Sequence, residues 1–101
     1  MIYTGWVTLS GESLAYKLGG EYRAPEKLDP RFDLRRYSKT GYDPSVEYGR
    51  LQLALAILAD CLGDDSAALA AHEQFHTEVV AHLPDNWTLT PKEIRQVIDP
   101  R

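Results

Sequence analysis

Leu51-Gln-Leu-Ala-Leu-Ala-Ile-Leu-Ala-Asp-Cys-Leu62 limits what this chain can fold into more than any other stretch. Leu51, Leu55, Leu58 and Leu62 fall on one helical face, and Leu53, Ala54, Ala56, Ile57 and Cys61 fill most of the others. A helix apolar nearly all the way round is an interior helix, wrapped by other elements. It is too short to span a bilayer, which takes about 20 residues. Burying its leucines and Ile57 contributes roughly 1.5–3 kcal/mol each before conformational entropy is counted. The core of the domain is therefore expected here, and this stretch names no chemistry.

A chain of 101 residues allows one domain, 1–101, with one core. The lone Cys61 lies inside the apolar helix and cannot form an internal disulfide, which suits a reducing compartment. Met1 is followed by Ile-Tyr-Thr-Gly-Trp, without the basic and apolar regions of a signal peptide, so the expected location is cytoplasmic. Charge is uneven: residues 1–50 carry eight Lys/Arg against seven Asp/Glu, and residues 51–101 three against eight. An acidic half argues against nucleic acid as a partner, because phosphate binding needs cations to release counterions.

Strand signals fill residues 1–43. Ile2-Tyr-Thr-Gly-Trp-Val-Thr-Leu9 alternates and is rich in β-branched and aromatic residues, and Ser10-Gly11-Glu12 ends it. Leu14, Tyr16 and Leu18 alternate up to Gly19-Gly20, the signal for a two-residue hairpin turn returning through Glu21-Tyr-Arg23. Pro25 closes that strand, and residues 24–30 read as a loop. Residues 31–37 alternate again, with Phe32 and Leu34 on one face, as a further strand.

Helix signals fill residues 44–101. Asp43-Pro44 reads as a cap with proline at the first helical position, although Gly49 leaves the start open between Pro44 and Arg50. Gly63 stops this helix. Asp64-Asp-Ser66 offers the next cap, for a helix over residues 66–83 halted by Pro84. Thr90-Pro-Lys-Glu93 is a capping box opening a last helix over residues 91–98. Trp87 is expected to fold back onto the interior helix. The fold class is α+β, a small antiparallel sheet from the N-terminal half packed on two to three C-terminal helices.

Tyr3-Thr-Gly5, Ser38-Lys-Thr-Gly-Tyr42, Gln52-Leu-Ala-Leu-Ala-Ile-Leu58, Leu62-Gly-Asp64, Leu83-Pro84 and Trp87-Thr-Leu-Thr90 with Glu93-Ile94 resemble an uncharacterised family of small bacterial domains of unknown function. The resemblance runs over most of the chain and departs between Asp43 and Leu51. There the family usually carries a glycine-rich run ending in Gly-Pro, and this chain has Pro-Ser-Val-Glu-Tyr-Gly-Arg. It implies the α+β fold and carries no known activity.

His72-Glu-Gln-Phe-His76 fits the zinc-protease pattern H-E-x-x-H, and His82 follows at ten residues from His72. A metal-dependent hydrolase would use His72 and His76 as ligands and Glu73 to activate water. On a continuous helix, however, His82 lies about 9 Å beyond His76 along the axis and about 120° around it. Val79 stands where the extended motif has a helix-breaking glycine. Ala68, His72, Phe75, Val79 and Leu83 form one apolar stripe, which points His72 at the core. A partly buried histidine pair fits better than a metal, so neither catalytic residue nor cofactor is assigned.

All six tyrosines and most arginines lie in the first fifty residues. Tyr, Trp and Arg anchor protein interfaces because they bury area and still hydrogen-bond. Arg31, Arg35, Arg36, Tyr37 and Tyr42 are therefore the candidate contact residues of a non-enzymatic module that binds another protein. An inhibitor from a phage or mobile element, anti-CRISPR-like and mimicking nucleic acid through its acidic half, is a sharper form of that reading. Nucleic-acid binding through residues 31–39, with Lys39 and stacking tyrosines, is the third class.

Overall fold

The computed structural model describes residues 1–19, 24–37, 42 and 47–98. Alternating residues form β1 (Ile2–Val7) and β2 (Ser13–Leu18), joined by a loop in which Gly11 takes a left-handed φ of 87°. β3 (Glu26–Lys27) pairs with β2, and β4 (Trp87–Leu89) pairs with β1. The result is a four-stranded antiparallel sheet in the order β3-β2-β1-β4. Pairing sets Tyr3 beside Lys17 and Leu89, and Gly5 beside Ala15 and Trp87. One face thus carries Tyr3, Gly5, Ala15, Trp87 and Leu89, all buried, while the opposite face carries Thr4, Trp6, Tyr16 and Thr88.

Among the described residues three α-helices complete the α+β arrangement: α1 (Glu47–Leu62), α2 (Asp65–Glu78) and α3 (Pro91–Ile98). Residues 52–59 of α1 are all buried, as an all-round apolar helix requires, with Trp87 in the same core. Gly63 ends α1 at φ 64°, its N–H reaching the Ala59 carbonyl. The Asp64 side chain then accepts from Ala67 N–H to cap α2. The capping box of α3 is reciprocal: Glu93 N–H donates to Thr90 Oγ1, and Thr90 N–H to Glu93 Oε1. Asp60 ties the layers together, accepting from Tyr3 Oη at 2.6 Å and Lys17 Nζ at 2.8 Å.

Four expectations are corrected. Residues 31–37 form a turn, not a strand, with Leu34 N–H and Arg35 N–H both directed at the Arg31 carbonyl. The stretch 24–30, read as a loop, contains the strand Glu26–Lys27 with Lys17 opposite Glu26, and Gly20 of the expected Gly19-Gly20 hairpin turn lies outside the described residues. The helix expected over 66–83 ends at Glu78, capped by Val79 at φ −126°, and one 3-10 turn, Val80–His82, follows. The helix thus breaks without a glycine at Val79, where the extended zinc motif has one. β4 is a strand that alternation did not reveal. The Glu21-Tyr-Arg23 strand, the turn at residues 38–41 and the Asp43-Pro44 cap lie outside the described residues.

Candidate functional site

A glutamine inside an apolar helix builds the site. Gln52 is wholly buried, and its amide Nε2 donates to the carbonyls of Pro30 at 2.6 Å and Arg35 at 3.0 Å. Its Oε1 accepts from Tyr37 N–H at 2.8 Å. A buried amide without partners would be costly, so this side chain and the turn it holds require each other. In the sequence Gln52 is one polar residue in an apolar run. That polarity on a fully buried helix was the available signal.

The turn is further fixed at its base. Arg31 has a φ of 58°, a left-handed conformation that costs a residue with a side chain about 1–2 kcal/mol. Its N–H donates to Asp29 Oδ1 at 2.9 Å, a local bond that favours such a turn. The Arg31 guanidinium pairs with Asp33 and grips Asp65 at the start of α2 through two bonds of 3.2 and 3.0 Å. The Arg31 guanidinium beside it holds the Asp33 carboxyl below its ordinary range. Arg31 is thus a clasp between turn and helix.

The other sequence candidates separate. Tyr42 is buried, its hydroxyl on the Leu28 carbonyl at 2.9 Å, and burial pushes its pKa well above the usual tyrosine value. Tyr37 is half-buried, with its hydroxyl 2.6 Å from His72 Nε2. His72 Nδ1 lies 2.8 Å from the Leu69 carbonyl, which only accepts. Nδ1 of the neutral ring therefore carries the proton, and Nε2 accepts from Tyr37. Arg35 and Arg36 are exposed. Arg35 reaches the Tyr37 hydroxyl at 3.3 Å, and the Arg36 guanidinium stands 4.2 Å from the centre of the Phe32 ring. Beside Phe32 is a cleft of about 220 Å³ lined by Leu14, Lys27, Leu28, Pro30, Phe32 and Tyr42 among others.

The H-E-x-x-H segment looks different in three dimensions. His72 and His76 are buried and Glu73 is exposed, so the segment does not turn one chemical face outward. Both ring nitrogens of His72 already have partners. Among the described residues no group of three or more His, Cys, Asp or Glu side chains is placed to hold a metal ion. Burial, more than any other influence, pushes the Cys61 thiol upward, away from a reactive thiolate.

The acidic residues of the second half are partly engaged, Asp64 as a cap, Asp65 by Arg31 and Glu78 by Gln74. Lys39 lies outside the described residues. Among those described, no helix is long and apolar enough to cross a membrane.

No curated protein and no solved structure matches the chain. A family model described as a family of unknown function, DUF6166, matches residues 3–100. On that match, which takes in the sheet, the turn and all three helices, the chain belongs to the DUF6166 family.

Proposed function

We propose that this domain is a non-enzymatic protein-binding module that acts in a reducing cytoplasm and makes contact through the 31–37 turn and the cleft beside it. The observation that carries this reading is the immobilisation of an irregular surface segment by the buried Gln52. A turn fixed in advance loses little conformational entropy when a partner docks. On this fixed frame, exposed Arg35 and Arg36 lie against Tyr37 and Phe32, the residue types in which interface energy concentrates. The adjoining cleft, mainly apolar with Glu12 and Lys27 in its lining, accepts one anchor side chain, and the exposed Arg35 and Arg36 on the turn favour acidic residues beside that anchor.

Affinity capture from the native host, using the wild type, Arg35→Ala/Arg36→Ala and Trp6→Ala, tests this reading. A partner held by the wild type and by Trp6→Ala, and losing at least about 2 kcal/mol of binding to the arginine variant, supports it. A partner that binds the arginine variant like wild type overturns it. Loss of binding only on neutralising Asp64, Asp65, Glu73 and Glu78 would move the interface to the acidic half.

A further inference from the structure

Tyr3, Ala15, Trp87 and Leu89 project from one face of the sheet into the core. The other face of β1 and β2 shows Ile2, Thr4, Trp6, Leu14, Tyr16 and Leu18, all apolar or aromatic except Thr4. Among the described residues, none of these six belongs to the core or packs against it. An antiparallel sheet that meets water on one face normally carries polar residues there. Trp6 is nevertheless 38% exposed, its indole stacked on Tyr16 with centroids 5.3 Å apart. The chain has a net charge of −4, yet the only charged side chain on this face of the four strands is Lys27 of β3.

Strand register arranges this face in rows. Leu18 and Ile2 form one row, Lys27, Tyr16, Thr4 and Thr88 the next, and Leu14 and Trp6 the third. A two-fold axis lying in the face, along the strands and between β1 and β2, sets each row against its own reverse. Trp6 of one copy then lies over Leu14 of the other, and Ile2 over Leu18. Tyr16 lies over Thr4, a large ring over a small side chain. Thr88 meets Lys27, whose ammonium donates to the hydroxyl. An axis across the strands would instead stack β3 on β3 and bring two Lys27 ammonium groups together. The face is therefore complementary to itself in the first arrangement, as an isologous dimer requires. A basic partner would find no acidic side chain on it.

We propose that two copies of this chain pair face to face through this side of β1 and β2, with the helices outermost. Packed sheets lie about 10 Å apart and within about 30° of parallel, so contacts beside the axis are displaced least. Those contacts are Trp6 on Leu14 and Tyr16 on Thr4. With strands about 4.8 Å apart and about 3.4 Å per residue, the face measures at most roughly 20 by 19 Å. Two copies bury on the order of 1,000 Å², the small end of specific interfaces, so the dimer forms reversibly. The proposal does not rest on the protein-binding reading, whose cleft shares only Leu14 and Lys27 with this face.

Sedimentation equilibrium of the purified chain, up to about 1 mM, should show monomer and dimer with a Kd on the order of 10–100 μM. Trp6→Glu places a charge on an exposed position of the face. It should weaken the dimer about tenfold or more while the backbone amide spectrum stays folded. Thr88→Glu, set against Lys27 of the second copy, should tighten it about two- to fivefold at low salt, and Thr88→Lys should weaken it as much. In a mixture of labelled and unlabelled protein, intermolecular NOEs should join the Trp6 indole to the Leu14 methyl groups. The proposal is overturned if the chain stays monomeric at the highest concentration, if it assembles beyond two copies, or if Trp6→Glu dimerises like wild type. It is equally overturned if Thr88→Lys dimerises more tightly than Thr88→Glu, or if the NOEs join Trp6 to β1 of the second copy in place of Leu14.

Discussion

The hydroxyl of Tyr3, on a strand bounded by neighbours on both sides, donates across 2.6 Å to Asp60 of the interior helix. Burial chiefly, and the Asp60 carboxylate after it, pushes the Tyr3 pKa well above that of an ordinary tyrosine. A group raised in the folded state favours folding fully below its unfolded pKa. That contribution is complete below about pH 10 and fades as the pH rises from there toward the raised value. Tyr3→Phe should lower stability by about 1.5–3 kcal/mol at neutral pH, the range for a hydrogen bond to a charged group. Urea midpoints of the two proteins should converge above about pH 10. A gap that stays constant to higher pH would contradict this.

Gly5 and Trp87 should behave as one unit. Gly5→Ala pushes a methyl group into the indole and should cost about 1–3 kcal/mol. Trp87→Ala opens a cavity beside α1 and should cost about 3–5 kcal/mol, a large part of a small domain's stability. Because truncating the ring relieves the clash, the double variant should lose clearly less than the sum of the two. Additive losses in denaturant melts would show that the two do not touch.

Gln52→Leu keeps the helix apolar and removes three hydrogen bonds at once. Each backbone group left dry costs about 1–3 kcal/mol, and water recovers part of this at the half-buried turn, so a net loss near 2 kcal/mol is expected. Hydrogen exchange at the Tyr37 amide should accelerate more than exchange in β1. Equal acceleration at both would mean that Gln52 supports the whole core and not the turn.

Zinc at the H-E-x-x-H segment would have to displace Tyr37 or the Leu69 carbonyl from His72. The purified protein should therefore carry well under one zinc per chain by elemental analysis, and His76→Ala should leave that figure unchanged. About one zinc per chain, lost in that variant, would restore the hydrolase reading.

The helices were legible because their ends are chemical. Gly63, Asp64 and the Thr90–Glu93 box act within a few residues, and local bonds can be read from local sequence. β1 and β2 were legible from alternation. Residues 31–37 misled because Phe32 and Leu34 alternate like a strand, while the conformation is set by Gln52 and Asp65, remote in sequence. β4 has three residues, too few for a period to declare itself. Among the candidate arginines, nothing local distinguishes Arg31, engaged by two aspartates, from its exposed neighbours Arg35 and Arg36. Tyr42 was sought on the surface and lies inside, for the same lack of a local signal.

The pairing of β1 with β4 also sets an order of events during synthesis. β1 leaves the ribosome early and finds β2 within a few residues, but its other edge waits for a segment some 83 positions later in the chain. Until Trp87–Leu89 emerges, that edge offers unpaired N–H and C=O groups to any extended chain nearby. With synthesis at about 5–20 residues per second, the exposure lasts for seconds. The three-residue strand that finishes the sheet is thus also what ends the nascent chain's exposure to aggregation.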